Sequence, residues 1–446
     1  MTVLSTPNSM ANRGHHVFIT AAGGQRYLLA LLTAIAVAFA LQQAGLGLFD
    51  YLPGVMARLF QAVFILSTAT LALLGAVYIT RTPAFHQRIT VYLGLLYLTY
   101  GAFAVAFGGL RPLFYLESIV FALALVPVLA DSRLSIGISR VWFWVCACLV
   151  ALNSVTLMYW AGWIDLEPTF IPRLIETGED LSDLDAFSFG IFGRTESLPD
   201  VGMFFGRLQG WALEPLHWGY FVLLAVASAL LVCSQSRRQQ ERFAIYCMLP
   251  LMLAHLMFVS SSSVVLTLGG WFLSLAMLGC TRRLAWGRRH ETGLLFFALV
   301  IGVGVIVPFS LMFIPDIQLL LVADQALGEG ENWADKLEFL SLGPQLFVRF
   351  MPLAGDDFQT SHNLVLGVYV KYGYFLVVPL LAFLYWFIKR AISGLPIVLA
   401  AGSLLIMLTH LLLVPPAAFY PSGALFFALA LITADQHRRC DTSLRG

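Results

Sequence analysis

One histidine in this sequence, His362, stands where a long polar segment gives way to an apolar one. Asn363 follows it directly, and the apolar run continues through Phe375 to Ile388. A histidine can take up or release a proton near neutral pH, because its ordinary pKa lies close to that range. His362 alone fits a helix-capping or interfacial role as well as a general base, so its surroundings must decide between them.

The residues that follow His362 have helical spacing. At about 100° per residue, one face of an α-helix here carries His362, Leu366, Tyr369 and Gly373. Lys371 points to the opposite face and is interpreted as an interfacial cation whose stem lies along apolar surface. The candidate chemistry therefore lies on one face of a predicted apolar helix.

A second polar segment, residues 164–215, combines carboxylates with arginines. It begins with seven acidic residues between Asp165 and Asp185, and its end contains Arg194, Arg207 and Glu214. A structural role for Arg207, as a cation that balances the acidic part or pairs with Glu214, competes with a role in ligand binding. The segment is too long for an ordinary connection between helices, which has about 2 to 8 residues.

The composition indicates what positions these residues. Of 446 residues, 59% are hydrophobic and 11% are charged, and the mean hydropathy is +0.83. Soluble domains contain about 25% charged residues, so the chain is predicted to be an all-α, polytopic membrane protein with one membrane domain over residues 27–435. Twelve spans are predicted, near residues 27–49, 55–80, 89–109, 112–130, 141–163, 216–235, 243–259, 263–280, 292–314, 374–388, 395–414 and 418–434.

The distribution of basic residues predicts the orientation. Short cytoplasmic loops carry an excess of Lys and Arg, and a cytoplasmic N-terminus places eighteen of the 26 basic residues on that side with only five acidic ones. Residues 1–26 and 436–446 are then cytoplasmic. The long segments 164–215 and 315–361 then face the opposite side of the membrane and are expected to contain short interfacial helices, one of them around Trp333, Leu337 and Leu340.

Other reactive side chains have plainer interpretations. Glu117, His255 and His410 lie inside predicted spans, where pairing with a structural partner is the expected role and substrate contact is the alternative. The six cysteines show no disulfide framework. No histidine or carboxylate spacing is typical of a metal site, and no nucleotide-binding motif or basic nucleic-acid patch is present, so no metal, cofactor or nucleic acid is predicted.

At this point two groups of motifs carry a resemblance. The first runs from Asp335–Leu340 through Pro352–Gly355 to Ser361–Leu364 and Gly373. The second is Arg207–Pro215, which leads into a predicted span. In this order, with twelve spans and a long outer segment before the His-Asn pair, the chain resembles the superfamily of O-antigen polymerases and O-antigen ligases, the glycosyltransferases of the bacterial envelope.

The resemblance implies a substrate and roles for individual residues. The donor would be a glycan on a polyprenyl diphosphate in the lipid bilayer, and its sugar would pass to an acceptor hydroxyl. The reaction would take place at the periplasmic face of a bacterial inner membrane, so the two long segments would face the periplasm. His362 would be the general base, and Arg provides bidentate contacts suited to the departing diphosphate. Glu214 would hold Arg207 or bind a sugar hydroxyl, and Asn363 joins the substrate-binding residues. The predicted diphosphate-binding residues are Arg207, Arg194, Arg349 and Lys336.

Three alternatives stay open at the level of sequence. The Glu214-Pro215 form of the second motif favours a polymerase, which joins repeat units and for which a chain-length regulator is a candidate partner. A ligase would instead transfer the glycan to the lipid A-core. A flippase for the same lipid-linked sugar belongs to another class of protein. Transporters typically have a binding site near the bilayer midplane and internal sequence repeats, whereas no internal repeat is found in this sequence.

Overall fold

The structure is a computed structural model that describes about half of the chain. Of the described residues, 85% are helical. Five of their helices are long and apolar enough to cross a membrane, so the chain is membrane-embedded, and its described part is predominantly helical. The described ranges are 54–78, 132–171, 186–196, 207–212, 215–236, 238–259, 261–306, 374–413 and 421–445, with single residues between 30 and 41 and at 364–365.

Nine helices of eight or more residues lie in the continuous described ranges, and each overlaps a predicted span. Predicted spans 27–49, 89–109 and 112–130 fall wholly or mostly outside those ranges, so the count of twelve stays a prediction. The helices are α1 (Gly54–Tyr78), α2 (Ser132–Trp160), α3 (Pro215–Gln235), α4 (Gln239–Phe258), α5 (Ser262–Arg283), α6 (Arg288–Leu295, continued as a π-helix over Phe296–Ile306), α7 (Tyr374–Phe387, continued as a π-helix over Ile388–Ile392), α8 (Ile397–Leu412) and α9 (Pro421–Arg445).

Two helices extend beyond the apolar stretches that predicted them. α2 begins at Ser132, nine residues before the predicted span, and α9 continues to Arg445 through the predicted tail. Polar contacts accompany both extensions. Arg140 pairs with Glu241 of α4, and Gln436 Nε2 donates a hydrogen bond to Ser135 Oγ at 3.4 Å.

The central element of the bundle is α3. Sixteen of its 21 residues are buried, whereas four of the 20 residues of α4 are. α8 approaches it closely at Gly402, where a Cβ would lie 3.0 Å from the carbonyl oxygen of Ala227. Small residues at such a crossing allow two membrane helices to pack backbone against backbone. The segment that carries Arg207 leads directly into this enclosed helix.

A small antiparallel sheet lies in the first long segment, where short interfacial helices were expected. Its strands are β1 (Thr169–Ile171), β2 (Ala186–Ser188), β3 (Arg194–Glu196) and β4 (Arg207–Gly210), hydrogen-bonded in sequence order. Pairing in the sheet gives hydrogen-bond partners to backbone N–H and C=O groups of these four short segments. The all-α description therefore holds for the described membrane helices but not for this segment, where a single helical turn, Gly190–Phe192, interrupts the strands.

The two ends of the bundle differ in charge. The sheet contacts the last turns of α2, whereas Arg140 lies near the beginning of that helix. At the end opposite to the sheet, Arg282 of α5 pairs with Glu291 of α6 at 3.1 Å. Arginines that the sequence assigns to the cytoplasmic side thus lie together, and the segment assigned to the periplasm lies at the other end.

Candidate functional site

The structure describes two of the seven predicted site residues. Arg194 begins β3 and Arg207 begins β4. The others, including the predicted general base, keep their predicted roles as hypotheses. Those outside the described residues are Glu214, Lys336, Arg349, His362 and Asn363.

The sheet brings Arg194 and Arg207 onto neighbouring strands. In the register of β3 and β4, Arg207 lies opposite Glu196, and Arg194 lies opposite Gly210. Arg194 is therefore the diagonal neighbour of Arg207. Such neighbours are about 7–8 Å apart in an antiparallel pair, within reach of long side chains. Two arginines separated by twelve residues in the sequence can thus meet one ligand.

The burial of the neighbouring residues distinguishes the two faces of these strands. Side chains alternate between the faces of a strand, and Thr195 and Leu208, which are opposite each other, are both buried. By this alternation, Arg207 and Glu196, which lies opposite it, are on the other face, and the register shift next to Arg194 interrupts the alternation there. Arg194 and Arg207 are both half-buried. Partial burial lowers the local dielectric, so the interaction of these cations with an anion is stronger than on an open surface.

The last turns of α2 anchor the hairpin that precedes Arg194. Asn153 Nδ2 donates a hydrogen bond to the carbonyl of Phe192 at 2.6 Å, and Thr156 Oγ1 donates to the same oxygen at 2.9 Å. The ring of Phe189 packs at 5.1 Å from that of Tyr159. The position of β3 is therefore set by a membrane helix.

Two glycines allow β3 and β4 to pack closely against each other and against α3. Gly193 has φ +94°, and a Cβ there would lie 2.8 Å from the carbonyl oxygen of Gly210. Gly210 has φ +57°, and a Cβ there would lie 2.2 Å from the ring of Trp218, which is buried in the first turn of α3. The register shifts between Arg194 and Thr195, as in a bulge. Glycine is thus required at both positions.

Sequence reasoning missed these four supporting residues. Asn153 and Thr156 carried a weak signal, since they are polar residues near the end of an apolar span. Gly193 directly precedes Arg194, and Gly210 follows Arg207 by three residues. Only the three-dimensional contacts show that a larger side chain would not fit at these two positions.

Two buried histidines lie nearby in the bundle, and both have hydrogen-bond partners. His255 Nε2 is 3.0 Å from the hydroxyl of Ser154, the neighbour of Asn153 in α2. His410 Nε2 is 3.0 Å from Tyr220 Oη. Neither histidine is exposed. The interpretation that these residues have structural partners is confirmed, and Glu117 lies outside the described residues.

The arrangement places two guanidinium groups on neighbouring strands, with Glu196 opposite Arg207. Guanidinium groups donate hydrogen bonds to carboxylate or phosphate oxygens, so an anionic group is the ligand chemistry that these two side chains suit. Among the described residues, no group of three histidine, cysteine or carboxylate side chains could bind a metal ion. No protein-family model, curated protein or solved structure matches this chain.

Proposed function

We propose that this protein is a membrane glycosyltransferase that polymerises oligosaccharide repeat units carried on polyprenyl diphosphate, at the predicted periplasmic face of a bacterial inner membrane. The observation that carries the proposal is the pairing of β3 with β4, which brings Arg194 and Arg207 to diagonal positions beside the start of α3. The sequence motifs that resemble O-antigen polymerases support the same assignment.

In the proposed reaction, an acceptor hydroxyl of one repeat unit attacks the anomeric carbon of another. Its proton passes to His362 as the new C–O bond forms, and the bond between that carbon and the diphosphate oxygen breaks. The diphosphate leaves with the electron pair, and Arg194 and Arg207 stabilise its charge. Arginine forks bind phosphate oxygens in pairs, and their contribution grows as negative charge develops on the leaving group.

The experiment uses detergent-purified protein and a lipid-linked oligosaccharide without ATP. A polymerase lengthens the glycan, and the ladder of products is read on a gel. Protein in detergent does not separate two compartments, so a flippase has no transport to carry out and would not lengthen the glycan. A ligase would give product only when lipid A-core is added as acceptor. Elongation without that acceptor therefore distinguishes the proposal from both alternatives.

Two substitutions test the proposed residues. His362→Ala should lower the turnover rate by about 10²- to 10⁴-fold, the usual contribution of a general base, and should leave substrate binding unchanged. Arg207→Ala should weaken turnover by about 10- to 100-fold, because a charge-assisted hydrogen bond contributes about 1.5–3 kcal/mol. The matched controls are His290→Ala and Arg283→Ala, which remove exposed side chains at the other end of the bundle. Full activity of His362→Ala would refute the mechanism.

A further inference from the structure

The turn between β2 and β3, Gly190–Phe192, lies beside the last two turns of α2 and is called the hairpin tip below. The carbonyl of its last residue accepts hydrogen bonds from Asn153 at 2.6 Å and from Thr156 at 2.9 Å. The ring of Phe189, just before the tip, packs at 5.1 Å from that of Tyr159. From Phe189 onwards the chain therefore runs along α2, away from the end of this helix and towards the middle of the membrane.

The lengths of two helices indicate the depth of the hairpin tip. α2 ends at Trp160, so Thr156 and Asn153 lie about 6 Å and about 10 Å below its end, from the rise per residue of an α-helix. α4 has 20 residues, about 30 Å, which equals the thickness of the hydrocarbon core of a bilayer. The ring of Phe258, its last residue, packs at 6.4 Å from that of Trp160, so the two helices end at similar levels. The tip therefore lies close to the boundary between lipid head groups and acyl chains.

Exposed side chains on α2 and α4 indicate the same boundary. Met158 in the last turn of α2 is exposed, and so are Met257 and Phe258 at the end of α4. Trp163, three residues after the end of α2, is 77% exposed, and tryptophan is enriched where a bilayer meets water. The first carboxylate of this segment, Asp165, follows directly afterwards. The chain thus passes from lipid to water between Met158 and Asp165, and the residues of α2 that hold the hairpin tip lie on the lipid side.

Hydrogen bonds pair most of the backbone groups around the hairpin tip. The N–H groups of Phe192 and Gly193 donate to the carbonyls of Phe189 and Gly190, both at 3.2 Å. The N–H of Phe189 donates to the carbonyl of Gly193 at 2.9 Å, and that of Gly190 donates to Ser188 Oγ at 3.3 Å. Unpaired backbone groups are costly in hydrocarbon, so a non-helical segment at this depth must satisfy them within the protein. The tip meets this requirement through its own turn and through α2.

The exposed part of the hairpin tip is apolar. Residues 186–193 contain three phenylalanines and one isoleucine, and no charged residue lies among them. The isoleucine, Ile191, is the central residue of the tip and is 62% exposed. Contact with acyl chains would remove the cost of leaving this side chain in water. Amphipathic segments at a membrane surface bury their apolar faces by about 5–10 Å, which agrees with the depth given by α2.

From this geometry we propose that the hairpin tip inserts into the leaflet on the side of the sheet and that Ile191 contacts the acyl chains of its lipids. The bilayer then holds the sheet together with α2. Arg194 is three residues away from Ile191, a distance of at most about 10 Å along the chain, so the inserted tip keeps the start of β3 near the level of the lipid head groups. The contact with lipid rests on depth and apolar exposure, and it does not depend on the proposed glycosyltransferase activity.

The test places a small fluorescent amino acid at position 191 of the full chain in nanodiscs of phosphatidylcholine. Bromine atoms on the acyl chains quench a fluorophore that touches them, whereas iodide in the buffer quenches one that is exposed to water. Leu266 is the reference position for lipid, because it is exposed and lies four residues after the start of α5, at a similar depth. Glu167, exposed four residues after Trp163, is the reference position for water. The label at position 191 should lose fluorescence with brominated lipid as the label at 266 does, and should respond to iodide less than the label at 167.

A second variant measures the contribution of the contact to the stability of the hairpin. Ile191→Asp should make amide hydrogen exchange in residues 186–196 about 10-fold faster in nanodiscs, because a charged side chain does not stay among acyl chains. Ile191→Leu is the matched control, since it keeps an apolar side chain of the same size and should leave the exchange unchanged. At a position exposed to water, neither substitution would alter the exchange appreciably.

Three results would overturn the proposal. Quenching by iodide at position 191 as strong as at position 167, without quenching by brominated lipid, would place the hairpin tip in water. Shielding of position 191 from both quenchers would mean that protein covers the tip in place of lipid. Equal exchange rates in Ile191→Asp and Ile191→Leu would show that contact with lipid does not stabilise the hairpin. Quenching by lipid at position 191 together with faster exchange in Ile191→Asp alone is the expected outcome.

Discussion

Gly193 and Gly210 determine where the two arginines of the candidate site can stand. Gly210 packs against the ring of Trp218, and Gly193 packs against the backbone of Gly210. Both glycines have positive φ, a conformation that other L-residues adopt at a cost. Arg194 and Arg207 are therefore positioned by contacts of the backbone on either side of them.

Gly210→Ala should lower the thermal stability and the elongation activity together. The positive φ costs about 1–2 kcal/mol for alanine, and the added Cβ would displace Trp218 or β4 at a further cost of about 1–3 kcal/mol. Gly190→Ala is the control, because Gly190 also has positive φ but a Cβ there has no atom within 4 Å. A similar loss of stability in the two variants would contradict the close contact described here.

The residue types of the candidate site could be predicted from the sequence, but their arrangement could not. Arg194 and Arg207 stand out as arginines after an acidic stretch. Their proximity depends on the pairing of β3 with β4, which are only three and four residues long. Strands this short give too little alternation of polar and apolar residues to reveal their register.

At the level of elements, α2 holds the hairpin of β2 and β3 through two hydrogen bonds to Phe192. The apolar part of α2 could be predicted from the sequence, because a run of about 20 apolar residues identifies a membrane-spanning helix. Its extension back to Ser132 could not, because it coincides with polar contacts between segments, such as Arg140 with Glu241.

Thr156→Val tests how strongly α2 holds the hairpin. The substitution removes the hydroxyl that bonds Phe192, so amide hydrogen exchange in residues 186–196 should become about 5-fold faster, as expected for the loss of one hydrogen bond of about 1 kcal/mol. Thr267→Val is the matched control, because Thr267 is buried as well but its hydroxyl bonds Ser263 in its own helix. Unchanged exchange in Thr156→Val would mean that the hairpin is held by other contacts.

In the whole molecule, α3 connects the two ends of the bundle and is enclosed by α2, α8 and α9. The rings of Trp142 and Phe221 pack at 5.8 Å between α2 and α3. Near the other end of α3, Gln235 Nε2 donates a hydrogen bond to the carbonyl of Thr433 in α9 at 3.1 Å. α3 therefore contacts α2, which holds the hairpin of β2 and β3, and also contacts α9 near the opposite end of the bundle.

A buried polar network fixes α3 against α8 and α9. Tyr220 Oη lies 3.0 Å from His410 Nε2 and 3.0 Å from Ser422 Oγ, and all three residues are fully buried. His410 Nδ1 is 2.7 Å from the carbonyl of Ile406, so this nitrogen carries the proton and Nε2 accepts the hydrogen bond of the tyrosine. One hydroxyl thus satisfies polar groups on two other helices.

Tyr220→Phe should therefore destabilise the bundle by about 1–3 kcal/mol, since it leaves His410 and Ser422 without this partner in an apolar interior. Thermal unfolding in detergent measures the effect. Tyr385→Phe serves as control, because Tyr385 is 41% exposed and should change stability by no more than about 0.5 kcal/mol. An equal effect of both substitutions would show that the network does not hold the helices together. A selective loss in Tyr220→Phe would show that the hydrogen bonds of Tyr220 with His410 and Ser422 stabilise the bundle.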